Sequence, residues 1–163
     1  MTVGVLFTAG YEGVRIDGFL ALIGGHPIDM IVDVREHPLS RKPGFSKRAL
    51  QESLEQMGVD YVHIPELGSP TAMRRQLKES GEWDVFRTRY SEWLETQGAS
   101  LNQVHNLARH HTIGLLCFEA NVHGCHRFIL GTKLLDRLEG YSWVDLSRGG
   151  ETPLDFRQVR SSD

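Results

Sequence analysis

With 163 residues, of which 40% are hydrophobic and 24% are charged, the chain has the length and composition of a single globular domain. A domain of this size buries about 70% of its unfolded surface, so its core does not depend on a disulfide or a metal. A net charge of −3 argues against binding to nucleic acid over the whole surface, although it is compatible with a local basic face.

Strand and helix patterns alternate in the first half of the chain. Short apolar runs without polar alternation predict buried strands over 3–8, 28–34 and 59–64. A helix capped by Asp17 is predicted between the first two strands, and a helix capped by Ser46 between the second and third. Loops rich in glycine and proline separate these elements.

The second half of the chain continues with a succession of helices before the next strand. Aromatic residues from Trp83 to Trp93 recur at helical spacing, which favours a core-facing helix over a stacking platform for bases. The predicted elements are a short helix over 71–80, this helix from residue 83, a helix around 101–108, a strand over 112–117, a helix over 125–138 and a strand over 141–146.

This alternation predicts an α/β fold, specifically a three-layer αβα (Rossmann-like) domain with a mostly parallel sheet of about five strands. We expect residues 1–146 to form this single domain and residues 147–163 to be a polar C-terminal tail. In open parallel sheets, ligands bind just beyond the carboxyl ends of the strands. The loops at that edge are therefore where we expect a site.

Polar and chemically reactive side chains gather at the predicted strand ends. Loops at the opposite edge, such as 24–27 and 56–58, hold no comparable set. The strand-end residues are Tyr11 and Glu12 after the first strand, Asp33, Arg35, His37, Ser40 and Arg41 after the second, Glu66 and Gly68 after the third, and Cys117, Glu119, Cys125, His126 and Arg127 after the fourth. This asymmetry predicts a site at the carboxyl edge of the sheet.

The segment after the fourth strand holds the candidates for catalysis. If Cys125 begins a helix, the helix dipole and the nearby Arg127 lower the pKa of its thiol and favour the thiolate. His126 and Glu119 could then move protons, so the segment offers a nucleophile, a proton carrier and a carboxylate. Cys117 is a further catalytic candidate, although a cysteine in an apolar strand is more often part of the core.

Arginines at the strand ends are candidate ligands of an anion. Arg35, Arg41 and Arg127 could hold a phosphate, and the helix that begins near Ser46 also favours an anion at its N-terminus. Asp33 could instead form a salt bridge with Arg35 or Arg41 that fixes the loop, and both interpretations stay open. The substrate-binding candidates are Tyr11, Glu12, Asp33, Arg35, Ser40, Arg41, Glu66, Gly68 and Arg127.

A metal site is a competing interpretation of the same segment. Cys117, His123, Cys125 and His126 offer sulfur and nitrogen ligands within ten positions. However, there is no Cys-x-x-Cys pair, and adjacent residues such as Cys125 and His126 rarely bind the same tetrahedral ion. We therefore predict no metal ligands and identify no cofactor, and a reversible disulfide between the two cysteines stays open.

The chain is expected to be cytoplasmic. No segment reaches the roughly 20 apolar residues that span a bilayer, and the first residues resemble a strand rather than a secretory signal. We therefore expect no membrane interaction and two reduced thiols. A phosphate-bearing small molecule or a nucleic acid is the expected partner, and the sequence assigns no oligomeric state.

Five motifs stand in a distinctive order and spacing along the chain. They are Thr8-Ala9-Gly10-Tyr11-Glu12-Gly13, Asp33-Val34-Arg35 with Pro38-Leu39-Ser40-Arg41, Pro43-Gly44-Phe45-Ser46, Pro65-Glu66-Leu67-Gly68, and Leu116-Cys117-Phe118-Glu119 with Cys125-His126-Arg127. Together they resemble the bacterial and archaeal family catalogued as domain of unknown function 488, with a departure at Ser69-Pro70, where that family usually continues with another glycine. The resemblance implies a small cytosolic α/β domain whose site lies at these motifs, and it implies no particular reaction.

Two functions follow from this set of residues. The first is an enzyme that acts on a phosphate-bearing substrate, a nucleotide or a nucleic acid, with Cys125 as nucleophile. The second is a non-catalytic module that binds nucleic acid or nucleotide through the basic stretches 41–48 and 74–78. A redox or metal-sensing role is a third class with less support.

Overall fold

Residues 3–147 and 150–153 are described by the computed structural model of the chain. The strands are β1 (Gly4–Gly10), β2 (Met30–Asp33), β3 (Asp60–His63), β4 (Ile113–Cys117), β5 (Tyr141–Ser147) and β6 (Gly150–Pro153). The helices are α1 (Ile16–Gly24), α2 (Lys47–Gln56), α3 (Thr71–Ser80), α4 (Trp83–Glu95), α5 (Gly98–Ala108) and α6 (His126–Leu135). Single 3-10 turns at Pro65–Leu67 and Val122–Gly124 follow β3 and β4.

The strands form one sheet in the order β3-β2-β4-β1-β5-β6. The first five strands in this order pair in parallel, and β6 runs antiparallel to β5. β4 lies between β2 and β1, so that Leu116 stands beside Asp33 and Cys117 beside Gly10. The carboxyl ends of these three central strands therefore meet at one edge of the sheet, where the loops that follow them can share a site.

An apolar core lies on each face of the sheet, which confirms the predicted three-layer αβα architecture. α1 and α2 cover one face, and α4, α5 and α6 cover the other. Neighbouring residues of β4 pack in different cores: Leu115 packs on the side of α4, α5 and α6, and Leu116 packs on the side of α1 and α2. Phe86 and Tyr90 are buried in the core beneath α4, α5 and α6, so the aromatic stripe of α4 is a packing face, as expected.

The start of α1 and the end of α6 differ from the sequence-based prediction. Arg15, and not Asp17, is the N-cap residue of α1, and the Asp17 carboxylate instead accepts a hydrogen bond from the backbone N–H of Gly18. α6 ends at Leu135, whereas the apolar pattern extended the prediction to Leu138, which packs in the core from the turn beyond the helix. Among the described residues, no helix is long and apolar enough to cross a membrane.

β6 lies within the segment 147–163 that we expected to be a polar tail. Its sequence is Gly-Glu-Thr-Pro, which has no apolar alternation and therefore no periodic strand signal. Backbone pairing with residues Val144 to Ser147 of β5 defines the strand instead. Residues 148–149 and 154–163 of the predicted tail lie outside the described residues.

Candidate active site

Cys117, Glu119, Cys125 and His126 converge just beyond the end of β4. Two sulfurs, one carboxylate oxygen and one imidazole nitrogen from these residues all lie within 4.8 Å of one another. The Glu119 carboxylate accepts a hydrogen bond from each thiol, at 2.9 Å from Cys117 and 3.2 Å from Cys125. The structure thus brings together all four residues that we predicted as catalytic, and we call them the thiol cluster.

The imidazole of His126 is held in one orientation. Its Nε2 lies 2.8 Å from the backbone carbonyl oxygen of Val34, and its Nδ1 lies 3.6 Å from each of the two sulfurs. A carbonyl oxygen can only accept a hydrogen bond, so Nε2 carries a proton and Nδ1 is the nitrogen that faces the thiols. The Tyr90 ring packs edge-on against this imidazole, which leaves His126 buried.

Cys125 is the N-cap residue of α6, and its sulfur accepts a hydrogen bond from the backbone N–H of Arg127 at 3.4 Å. Burial raises the pKa of the Cys125 thiol, but the hydrogen bond from Cys117 and the positive charges of His126 and Arg127 outweigh it and hold that pKa well below its usual value. Burial lowers the pKa of His126, but its contacts with Cys125 raise that pKa more. The arrangement therefore makes the Cys125 thiol easier to ionise and His126 a stronger base.

Cys117 and Glu119 both have a raised pKa. Burial and the neighbouring Cys125 raise the pKa of the Cys117 thiol well above its usual value. Burial and the charge of Cys125 also raise the pKa of the Glu119 carboxyl. This protonated, buried thiol is consistent with the expectation that Cys117 is a core residue. Its sulfur nevertheless lies 2.9 Å from the Glu119 carboxylate and 3.6 Å from Nδ1 of His126.

Arg127 does not occupy the place that we predicted for it. Its side chain is fully buried, and its guanidinium donates to Asp145 on β5 at 3.2 Å and to the backbone carbonyl of Glu119 at 2.7 Å. A residue without exposed surface cannot contact a substrate, so its predicted role as an anion ligand is corrected to that of holding the Glu119 loop. The sequence analysis missed Asp145. It could have been found as a carboxylate in a predicted buried strand, because such a group needs a buried cation as its partner.

Asp33 and Arg35 form a closed network, which supports the structural interpretation of this pair. The Arg35 guanidinium makes a bidentate ion pair with Asp33, with N–O distances of 2.7 and 2.9 Å. It also donates to the Phe45 carbonyl at 2.7 Å and to the Tyr11 hydroxyl at 3.1 Å, and the Tyr61 hydroxyl donates to Asp33. Arg35 lies at the cavity wall with its donors largely engaged, so we no longer assign it the phosphate.

A polar cavity of about 320 Å³ opens beside the thiol cluster. Its wall includes Cys117, Tyr11, the exposed Arg41 and the half-exposed ring of Phe118. A neighbouring cavity of about 170 Å³ reaches Cys125. The residues that line both cavities are Ser69, Arg74, Glu119 and His126. The thiol cluster therefore lies where the two cavities adjoin, with one cysteine facing each.

The remaining predicted residues shape the loops around these cavities. Glu12 accepts a hydrogen bond from the backbone of the loop after β4 at 3.1 Å, and Ser40 lines the larger cavity. Gly68 lies so close to the backbone of the loop after β2 that any side chain there would collide with it. Glu66 is exposed and lines neither cavity, and its backbone carbonyl accepts a hydrogen bond from the Trp93 indole.

The sequence analysis missed Glu36 and its contacts with α3. The Glu36 carboxylate accepts a hydrogen bond from the backbone N–H of Thr71 at 3.1 Å and pairs with Arg74 at 3.3 Å, which brings Arg74 to the cavities. The sequence feature that could have pointed to Glu36 is Pro70, which precedes α3 and offers that helix no side-chain cap. A helix start without its own cap can take a carboxylate from elsewhere in the fold.

The fold and the thiol cluster together define a three-layer α/β domain with a polar candidate site at its strand ends. The model of the family described as "Domain of unknown function DUF488" matches residues 15–134, and the chain belongs to this family. The matched segment contains the whole thiol cluster. Comparison with curated proteins and with solved structures gave no significant match.

Proposed function

We propose that this chain is an enzyme that acts on a phosphate-bearing substrate, a nucleotide or a nucleic acid, with a cysteine of the thiol cluster as its reactive group. The observation that carries this proposal is the convergence of two thiols, an imidazole and a carboxylate where two polar cavities adjoin. An apolar core does not require this combination of groups, and their burial has a cost in free energy that a function would explain.

Of the arginines that the sequence suggested as anion ligands, the proposal keeps Arg41, and it adds Arg74. Arg41 is exposed at the wall of the larger cavity and pairs with no acidic side chain among the described residues. Arg74 lines both cavities and is partly engaged by Glu36 and Ser69. A guanidinium binds phosphate through paired N–H donors, and Phe118 beside them offers a ring on which a base could stack.

The proposed nucleophile is the sulfur of Cys125. It lies at the start of α6, in contact with the Glu119 carboxylate at 3.2 Å and with Nδ1 of His126 at 3.6 Å. Glu119 or His126 can take the thiol proton as the sulfur attacks, and the same group can return it to a leaving group. Cys117 keeps its hydrogen bond to Glu119 at 2.9 Å and stays protonated in this scheme.

A panel of nucleoside phosphates and single-stranded DNA and RNA oligonucleotides tests this proposal, with binding and turnover measured separately. Arg41→Ala is expected to weaken binding by about 10-fold, the effect of one charge-assisted hydrogen bond. Arg48→Ala is the matched control, because Arg48 is exposed on α2 and pairs with Glu52 away from both cavities. Cys125→Ser is expected to lower turnover by at least about 100-fold. Unchanged turnover in Cys125→Ser contradicts the thiol mechanism.

A non-catalytic binding module is the second candidate, and α3 is the observation in its favour. Arg74, Arg75 and Lys78 lie along one side of this helix beside a surface hollow of about 590 Å³. Such a row of cations would bind a phosphate backbone with an affinity that falls steeply as salt rises. Binding that is lost in Arg75→Ala while Cys125→Ser has no effect on any measured property would favour this module over the enzyme.

A further inference from the structure

The two sulfur–nitrogen distances in the thiol cluster are those of a tetrahedral metal site. A tetrahedral zinc ion with bonds of about 2.3 Å to sulfur and about 2.0 Å to nitrogen places those two atoms about 3.5 Å apart. Nδ1 of His126 lies 3.6 Å from the sulfur of Cys117 and 3.6 Å from the sulfur of Cys125. The Glu119 oxygen completes the group at 2.9 and 3.2 Å from the two sulfurs, distances that now correspond to thiol hydrogen bonds.

The surroundings of the cluster orient these four groups. Nε2 of His126 is bonded to the Val34 carbonyl, and this second hydrogen bond is the usual partner of a metal-binding imidazole because it leaves Nδ1 free to donate its lone pair. Arg127 holds the backbone carbonyl of Glu119 at 2.7 Å, which fixes the start of the loop that carries the carboxylate. The ligands are therefore arranged before any ion binds.

Local backbone geometry removes the objection that adjacent residues rarely share an ion. Cys125 has an extended backbone with φ −127° and ψ 148°, whereas His126 is the first residue of α6. The chain turns between them, so the side chains converge instead of pointing to opposite sides. Two thiolates and one carboxylate around a divalent ion leave one negative charge, and the buried guanidinium of Arg127, which donates to the Glu119 carbonyl, lies near it.

We propose that Cys117, Glu119, Cys125 and His126 form a binding site for a thiophilic divalent metal ion of the Zn²⁺ type. On binding, the ion displaces the protons of the two thiols, which pass to solvent, and forms one bond to each of the four side chains. A fourfold protein ligand set is closed, so neither sulfur remains available for attack. The metal site rests on the geometry of the cluster alone, and its occupation would switch off the thiol chemistry proposed above.

The full chain, stripped of metal with a strong chelator under reductant, is titrated with Zn²⁺ against a chromophoric chelator and with Co²⁺ by absorption. We expect one ion per chain, with the thiolate-to-cobalt charge-transfer bands and the intense visible bands of tetrahedral Co²⁺. A wild-type chain that binds no Zn²⁺ in competition with the chelator, or a Co²⁺ spectrum without thiolate bands, overturns the proposal. Both readouts use the wild-type protein, so they do not depend on the folding of a variant.

Variants then assign the ligands. Outer-sphere partners of a metal typically contribute about 10- to 100-fold in affinity, so loss of a ligand in Cys117→Ser or Cys125→Ser is expected to weaken Zn²⁺ binding by at least about 100-fold. His123→Ala is the control, because His123 is exposed, packs on Phe128 and lies outside the thiol cluster. An equal loss of affinity in His123→Ala, or none in either cysteine variant, contradicts the ligand assignment.

The same preparations separate this inference from the proposed enzyme. Turnover by the metal-free chain that Zn²⁺ abolishes supports both proposals. Zn²⁺ binding with no turnover of any substrate in the panel supports the metal site and contradicts the proposed enzyme. Turnover without Zn²⁺ binding contradicts the metal site and supports the enzyme. Turnover that persists with the ion bound at the two cysteines contradicts the closed ligand set.

Discussion

Arg127 shows how one buried residue can set the geometry of a site that it does not line. Its guanidinium connects Asp145 of β5 with the backbone of Glu119, and the Thr8 hydroxyl of β1 donates to the same aspartate. Gly10 at the end of β1 makes this arrangement possible, because the carbonyl of Glu119 occupies the space that a side chain would fill. The position of the Glu119 carboxylate thus depends on a contact between β1 and the loop after β4.

Gly10→Ala tests this contact. The added methyl group would lie far inside van der Waals contact with the Glu119 carbonyl and 3.0 Å from the Arg127 guanidinium, so the loop must move. We expect the free energy of unfolding to fall by about 1–3 kcal/mol in urea titration, as for other overpacked interiors. Gly98→Ala is the control, because a methyl group on Gly98 at the start of α5 meets no atom within 4 Å. Equal stability of Gly10→Ala and the wild type contradicts the tight contact.

At the scale of elements, α3 is held against the loop after β2 by a carboxylate from outside the helix. The residue before α3 is Pro70, which provides no side-chain cap, and Glu36 supplies one from the loop after β2. Burial raises the pKa of the Glu36 carboxyl, but the Thr71 hydroxyl and the charges of Arg74 and His37 lower it more, so the pKa lies below its usual value. Ionised Glu36 therefore stabilises the fold.

Glu36→Gln is expected to lower the free energy of unfolding by about 1 kcal/mol near neutral pH, because Arg74 and the N-terminus of α3 lose a negative partner. A carboxyl whose pKa is lowered by folding contributes stability above its unfolded pKa and loses it as pH falls through the folded pKa. The difference between variant and wild type should therefore disappear in acid. Glu52→Gln on α2, at an exposed ion pair with Arg48, is the control and should show little effect. A pH-independent difference contradicts the role of the charge.

The helices and strands that carry an apolar face could be predicted from the sequence, because burial imposes its period on the residues. The elements that could not be predicted are those that depend on contacts made elsewhere. β6 has no apolar alternation and is defined by backbone pairing with β5, and the cap of α3 comes from Glu36, far away in the chain. The Asp17 cap was wrong because a favourable residue type near a helix start does not fix the residue at which the helix begins.

At the scale of the whole molecule, the parallel sheet explains why a candidate site could be proposed without a known reaction. The ends of β1, β2 and β4 meet, so residues far apart in sequence such as Tyr11, Arg35 and Cys117 line one cavity. The location of the candidate site could be predicted from this rule, whereas the role of each residue in it could not. Arg35 and Arg127 are both arginines at strand ends, and their buried partners Asp33 and Asp145 decide that they hold the fold.

The most direct test of the central claim is a crystal structure of the metal-free chain with a nucleoside monophosphate. The account predicts the phosphate in the cavity beside the thiol cluster, within hydrogen-bonding distance of Arg41 or Arg74, and the base near Phe118. A phosphate bound on the outer side of α3 at Arg75 and Lys78, with the cavity beside Cys117 free of ligand, would contradict it.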